Sequence, residues 1–136
     1  MNRIKDKSKE KIKSCTNCFN PVYLKFNFTY ITYDDYLDKE HINKLWQRMR
    51  ELSKEKYTVI SGRGKEVGFE CIPVKISKKI PAEFSERFPT EAITGKFNVM
   101  RLYTNNNPLP SRIIGKLVRN VFYIFYIDIK GKLYKH

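Results

Sequence analysis

The chain has 136 residues and a net charge of +13, with 41% hydrophobic, 14% aromatic and 30% charged residues. That length suits one domain with its own core, and the apolar and aromatic content argues against a wholly disordered chain. The longest apolar run, 121–127, is too short to cross a bilayer, and the polar, lysine-rich start lacks the apolar stretch of a secretory signal. A cytoplasmic protein that engages no membrane is therefore expected. Three cysteines, Cys15, Cys18 and Cys71, form no even-numbered disulfide framework, which agrees with a reducing compartment.

Residues 1–20 hold six cations and two acids without apolar periodicity, which predicts a flexible basic arm ahead of a single domain over 21–136. From 24 to 30 the residues alternate, with Leu24, Phe26, Phe28 and Tyr30 on one side, the pattern of a half-buried strand. Asp34 or Asp35 is placed to cap a helix running to about 55, in which Ile42, Leu45, Trp46, Met49 and Leu52 recur at three- and four-residue spacing. Its other side mixes Lys44, Arg48, Glu51 and Glu55, a neutral surface that suits a scaffold helix. His41 is predicted on that helix's surface. Short strands are predicted at 57–61 and 67–74, a second short helix at 82–88, and a strand at 97–103 before the loop "TNNNPLP". The whole reads as an α+β fold, with a mainly antiparallel sheet covered on one face by one long amphipathic helix and a short second helix.

The closing stretch "RIIGKLVRNVFYIFYIDIKGKLYKH" suggests two tight hairpins, one turning at Arg119-Asn120 and one at Lys130-Gly131. The first turn pairs Val118 with Val121, Lys116 with Tyr123, Ile114 with Phe125 and Arg112 with Ile127. The second pairs Ile129 with Lys132 and Ile127 with Tyr134. Directly paired residues share a face. One face then carries Ile113, Leu117, Phe122, Ile124 and Leu133 for the core. The other collects Arg112, Lys116, Tyr123, Phe125, Lys132 and Tyr134, and Arg101 and Tyr103 join it if Met100 and Leu102 face inward. A slip of one residue inverts the result.

Residues 95–136 hold eight cations against Asp128 alone, so the positive charge concentrates where this second face lies. Cations interleaved with aromatics suit unpaired RNA or DNA, since ammonium and guanidinium groups neutralise phosphates while rings stack on bases. Packing under a second layer is the competing reading of Tyr123 and Phe125. Other motifs carry less. "CTNCF" offers Cys15 and Cys18 as half of a zinc site, to be completed by Cys71, His41 or His136, but no metal site or cofactor is assigned. "SGRGK" lacks the spacing of a nucleotide-phosphate loop, leaving Arg63 and Lys65 as candidate backbone-phosphate contacts. Asp128 is expected to accept hydrogen bonds at the end of its strand, opposite Ser111.

The terminal pattern "RIIGKLVRNVFYIFYIDIKGKLY", with "LWQRMRELSKE" before it, resembles a group of small uncharacterised bacterial proteins, which brings no activity with it. More distantly, the order of a strand, a helix and antiparallel strands with basic charge is similar to RelE-like toxins of toxin–antitoxin modules. That resemblance implies a metal-independent endoribonuclease, with Arg112 and Lys116 stabilising the scissile phosphate and Tyr134 beside the attacking ribose. It also implies an acidic protein partner. Around that catalytic set, Arg63, Lys65, Arg101, Tyr123 and Lys132 would bind the nucleic acid. Two other readings stand beside it: a non-enzymatic nucleic-acid-binding accessory protein, and a phage or plasmid protein that inhibits a host nucleic-acid enzyme.

Overall fold

The closing hairpin forms the centre of the sheet in the computed structural model, which describes residues 23–34, 38–61, 68–73, 79–94 and 96–133. The expected basic arm, Cys15, Cys18, Arg63, Lys65, Tyr134 and His136 lie outside the described residues. Strands β5 (Arg112–Val118) and β6 (Val121–Asp128) pair as expected near the turn, Val118 with Val121 and Lys116 with Tyr123. Arg119 takes the left-handed φ of 57° that this turn demands. Beyond Gly115 the register shifts by one. Gly115 still pairs with Ile124, but Ile114 pairs with Tyr126 and Arg112 with Asp128, rather than with Phe125 and Ile127 as expected. A bulge at Phe125 supplies the extra residue, and such bulges leave little trace in alternation.

Strands β4 (Lys96–Arg101) and β3 (Phe69–Pro73) continue antiparallel from β5. On the other side, β1 (Lys25–Asn27) and β2 (Tyr33–Asp34) both run parallel to β6, giving the order β1-β6-β5-β4-β3 with β2 also on β6. The sheet is therefore mixed, where a mainly antiparallel one was expected. The same two strands take the edge that the second hairpin needed, whose Ile129–Lys132 pair does not form among the described residues and whose Tyr134 lies outside them. They occupy the outer edge of β6 on which 132–134 were predicted to pair, and the chain after Asp128 turns away instead. Gly131 adopts a φ of 67°, and the Asp128 carboxylate accepts from the amides of Lys132 (3.0 Å) and Leu133 (2.9 Å).

The predicted strand over 24–30 also breaks, because the Asn27 side chain accepts from the Thr29 amide and Ile31 closes a turn on the Phe28 carbonyl. Helix α1 (Lys39–Ser53) begins one turn later than expected, with Asp38 rather than Asp34 or Asp35 as its cap, accepting from the His41 amide at 3.0 Å. Its predicted apolar stripe is split: Leu45, Met49 and Leu52 are buried, whereas Ile42 and Trp46 are exposed and Arg48 is buried. Residues 57–61, read as a strand, form the single-turn helix α2 (Tyr57–Ser61), which buries Ile60 and leaves Val59 in solvent. Two short helices follow in turn, α3 (Ala82–Arg87) and α4 (Pro89–Ile93), the second opened by a proline at its first position.

Two apolar clusters sandwich the sheet. Leu45, Met49, Leu52 and Ile60 pack with Met100, Ile113, Phe122 and Ile124 on one face. On the other, Tyr30, Phe84 and Phe88 pack with Phe97, Val99, Ile114, Tyr123 and Phe125. The expectation of helices on one face alone is thus corrected. Strands whose successive residues are both apolar need cover on both sides, and β6, buried from Phe122 to Asp128, is such a strand.

Candidate nucleic-acid interface

The register brings Arg112, Lys116, Tyr123 and Phe125 to one face, and the structure then roofs that face, whereas Tyr103 packs with Met100 and Leu102 in the first cluster. Relative exposures are 2% for Arg112, 5% for Lys116, 8% for Tyr123 and 0% for Phe125. Tyr123 is surrounded by rings rather than presented to a base, with centroids of Tyr30, Phe84 and Phe88 at 5.8, 5.6 and 5.0 Å. Lys116 sends its ammonium to the hydroxyl of Thr94 (2.6 Å) and the carbonyl of Lys96, and burial pushes its pKa down. Arg112 donates from Nη1 to Asn106 Oδ1 (2.8 Å) and the Ser111 carbonyl (3.1 Å). Arg101, half-buried, donates to the Thr104 carbonyl, and Lys132 stands exposed beyond the end of β6. The expectation of an open Arg–Lys–Tyr platform is corrected. Sheet faces are sorted by alternation, but whether a face is covered depends on elements far away in sequence.

The remaining candidates separate. Leu133, expected with the first core face, packs into the second cluster. Asp128 does end its strand as a hydrogen-bond acceptor, though opposite Arg112 rather than Ser111. Cys71 is exposed and free, and no group of three metal-capable side chains occurs among the described residues. His41 is not a bare surface residue, since its Nδ1 lies 2.8 Å from the Tyr103 hydroxyl.

A different surface gathers what the roofed face lost. Between β1 and α1 runs an open groove of about 630 Å³, lined by Tyr23, Leu24, Lys25, Phe26, Phe28, Trp46, Met49, Arg50, Ser53 and Lys54. Three of its rings are unusually bare, Trp46 at 61%, Tyr23 at 47% and Phe28 at 45% exposed. Lys25, Arg50 and Lys54 are exposed beside them, and no carboxylate among the described residues lines the groove. The helix and the sheet edge each supply part of this arrangement. Trp46, Arg50 and Lys54 recur every four residues, so they fall along one stripe of α1 and its C-terminal cap. Across from them β1 is held in place by Leu24, whose amide bonds the Glu55 carbonyl, and by Asn120, whose backbone and side chain bond Lys25 and Tyr23. The Trp46–Arg50–Lys54 spacing was present in the sequence, but assigning Trp46 to the buried stripe hid it.

Chemically, flat apolar faces flanked by cations at a groove without acids can stack unpaired bases and neutralise the phosphates between them. No protein-family model, no curated protein and no solved structure matches the chain.

Proposed function

We propose that this chain is a small basic protein that binds single-stranded nucleic acid, RNA foremost, at the groove between β1 and α1, without cutting it. The observation that carries this reading is the conjunction of Tyr23, Phe28 and Trp46 with Lys25, Arg50 and Lys54 on one open surface, with no carboxylate among the described residues that line it. The rings take the bases and the cations take the backbone. The net charge of +13 speeds encounter with any polyanion. The alternative reading as a RelE-like ribonuclease needs Arg112 and Lys116 open to a scissile phosphate. Their burial at 2% and 5% exposure favours the non-enzymatic reading. No helix among the described residues is long and apolar enough to cross a membrane.

Trp46 is the single tryptophan, so its emission reports directly on the groove. Titration with oligouridylate or oligothymidylate should quench that emission saturably. With three phosphate contacts the affinity should fall about tenfold for each threefold rise in salt, since each neutralised phosphate of a single strand contributes a log–log slope of about −0.7. Binding that leaves Trp46 emission unchanged, or that ignores salt, would refute the reading. Shortening of the RNA during the same incubation, lost in Lys116→Met, would restore the nuclease.

A further inference from the structure

At the end of the sheet away from the Arg119-Asn120 turn, two arginines stand directly opposite one another. Arg101 of β4 pairs with Arg112 of β5, and their side chains share a face. Cβ atoms of such pairs lie about 5 Å apart, and like charges so placed destabilise a sheet unless something neutralises them. Among the described residues no carboxylate is ion-paired to either. In register with Arg112 sits Asp128, whose two oxygens accept from the amides of Lys132 and Leu133, and no ion pair joins it to either arginine among the described residues. Every hydrogen-bond acceptor seen for the pair is a neutral oxygen: the Thr104 and Ser111 carbonyls and the Asn106 amide.

Arg112 is 98% buried and its Nε has no hydrogen-bond partner; the Nε of Arg101 is likewise buried and unpartnered. Buried donors are ordinarily satisfied, and a buried charged one left unmet is costly. Two arginines in direct cross-strand register, each with an unpartnered N–H and no ion-paired carboxylate among the described residues, lack a counter-charge.

We infer that Arg101 and Arg112 form a binding site for a phosphate-class oxyanion, inorganic phosphate or a phosphate monoester. A tetrahedral dianion matches two positive charges and offers separate oxygens to two side chains that approach from adjacent strands, which a single carboxylate does less well. Asn106 is the acceptor that an anion would replace. It is exposed, holds a left-handed φ of 62°, and its amide oxygen now accepts from Arg112 where an anion's oxygen can replace it. This site is independent of the groove, which lies along the opposite end of β6 where β1 pairs with 121–123.

The test is thermal unfolding of the full chain in inorganic phosphate against chloride at equal ionic strength. Wild-type protein should gain about 3 °C in Tm at a phosphate concentration near five times Kd. Arg101→Met and Arg112→Met should abolish the gain, and Trp46→Ala should keep it. Arg101 is half-buried at a strand end, so Arg101→Met tests the idea even if Arg112→Met fails to fold. A wild type indifferent to phosphate, or a gain that Arg101→Met retains (an adventitious ion only), overturns the proposal. Oligonucleotides with and without a 5′-phosphate separate the sources. Tighter binding of the phosphorylated form, lost in Arg101→Met, assigns the site to a nucleic-acid end, whereas equal binding alongside an intact response to phosphate assigns it to the free ion. Failure of the groove to bind single strands leaves the phosphate response untouched.

Discussion

Gly115 lies so close against the carbonyl of Tyr123 that a Cβ placed there would overlap the carbonyl oxygen. The neighbour is backbone inside the central strand pair, so it cannot swing aside as a side chain would. Gly115→Ala should therefore cost about 3 kcal/mol or more of stability, measured by urea unfolding. An alanine variant with wild-type stability would mean that the bulge at Phe125, opposite Ile114 and Gly115, is not where the structure puts it.

Arg119 supplies the opposite case, a residue with a Cβ forced into a left-handed φ of 57°. Left-handed geometry costs a non-glycine residue about 1–2 kcal/mol, partly offset by the greater freedom glycine has when unfolded. Arg119→Gly should raise stability by about 0.5–1 kcal/mol in the same assay. A loss would show that the arginine side chain contributes more than its backbone strain.

Lys116 gives the protein a pH signature. Burial holds its folded-state pKa below the ordinary lysine value, so the unfolded chain binds the extra proton first as pH falls. Its contribution to stability consequently rises with pH through the window between the folded and unfolded values. The stability difference between wild type and Lys116→Met should shift in favour of wild type as pH rises from 7 toward 10. A difference constant over that range would show that the ammonium is as well solvated folded as unfolded.

Tyr103 and Tyr126 act in the other direction. Burial raises the pKa of both phenols, with Glu40 and Asp38 adding to the effect at Tyr103. Above the ordinary tyrosine range the unfolded chain loses these protons while the folded one keeps them, so stability falls as pH climbs. The double variant Tyr103→Phe/Tyr126→Phe should flatten that alkaline decline, at a neutral-pH cost of about 1 kcal/mol for the lost bond to His41. Identical alkaline unfolding curves would remove these two residues from the account.

Trp46 and Phe84 separate surface from core. Trp46 is 61% exposed, whereas Phe84 is fully buried among Tyr30, Phe88, Tyr123 and Phe125. Phe84→Ala should cost about 3–5 kcal/mol, because it opens the roof over the second face. Trp46→Ala should cost under about 1 kcal/mol yet weaken oligonucleotide binding at least tenfold, as expected when a stacking base loses its ring. Equal destabilisation by the two substitutions would make Trp46 a packing residue.

Local chemistry carried much of this fold in the sequence. The turn at Arg119-Asn120, the pairing of Lys116 with Tyr123, the apolar face of Ile113, Phe122 and Ile124, and the hydrogen-bonding end at Asp128 all follow from alternation and turn residues. What alternation does not encode is which element closes over a face or takes an edge. Covering Tyr123 and Lys116 required Phe84, Phe88 and Thr94, more than twenty residues away in sequence, and the outer edge of β6 was filled by residues 25–27 and 33–34, nearly a hundred away. Those choices depend on apolar area buried between elements distant in sequence, a sum that no local window contains. Hence the amino-acid order determined that cations and rings would be sorted onto faces, and tertiary packing alone decided that the sorted face went inside while Trp46, Tyr23 and Phe28 stayed out.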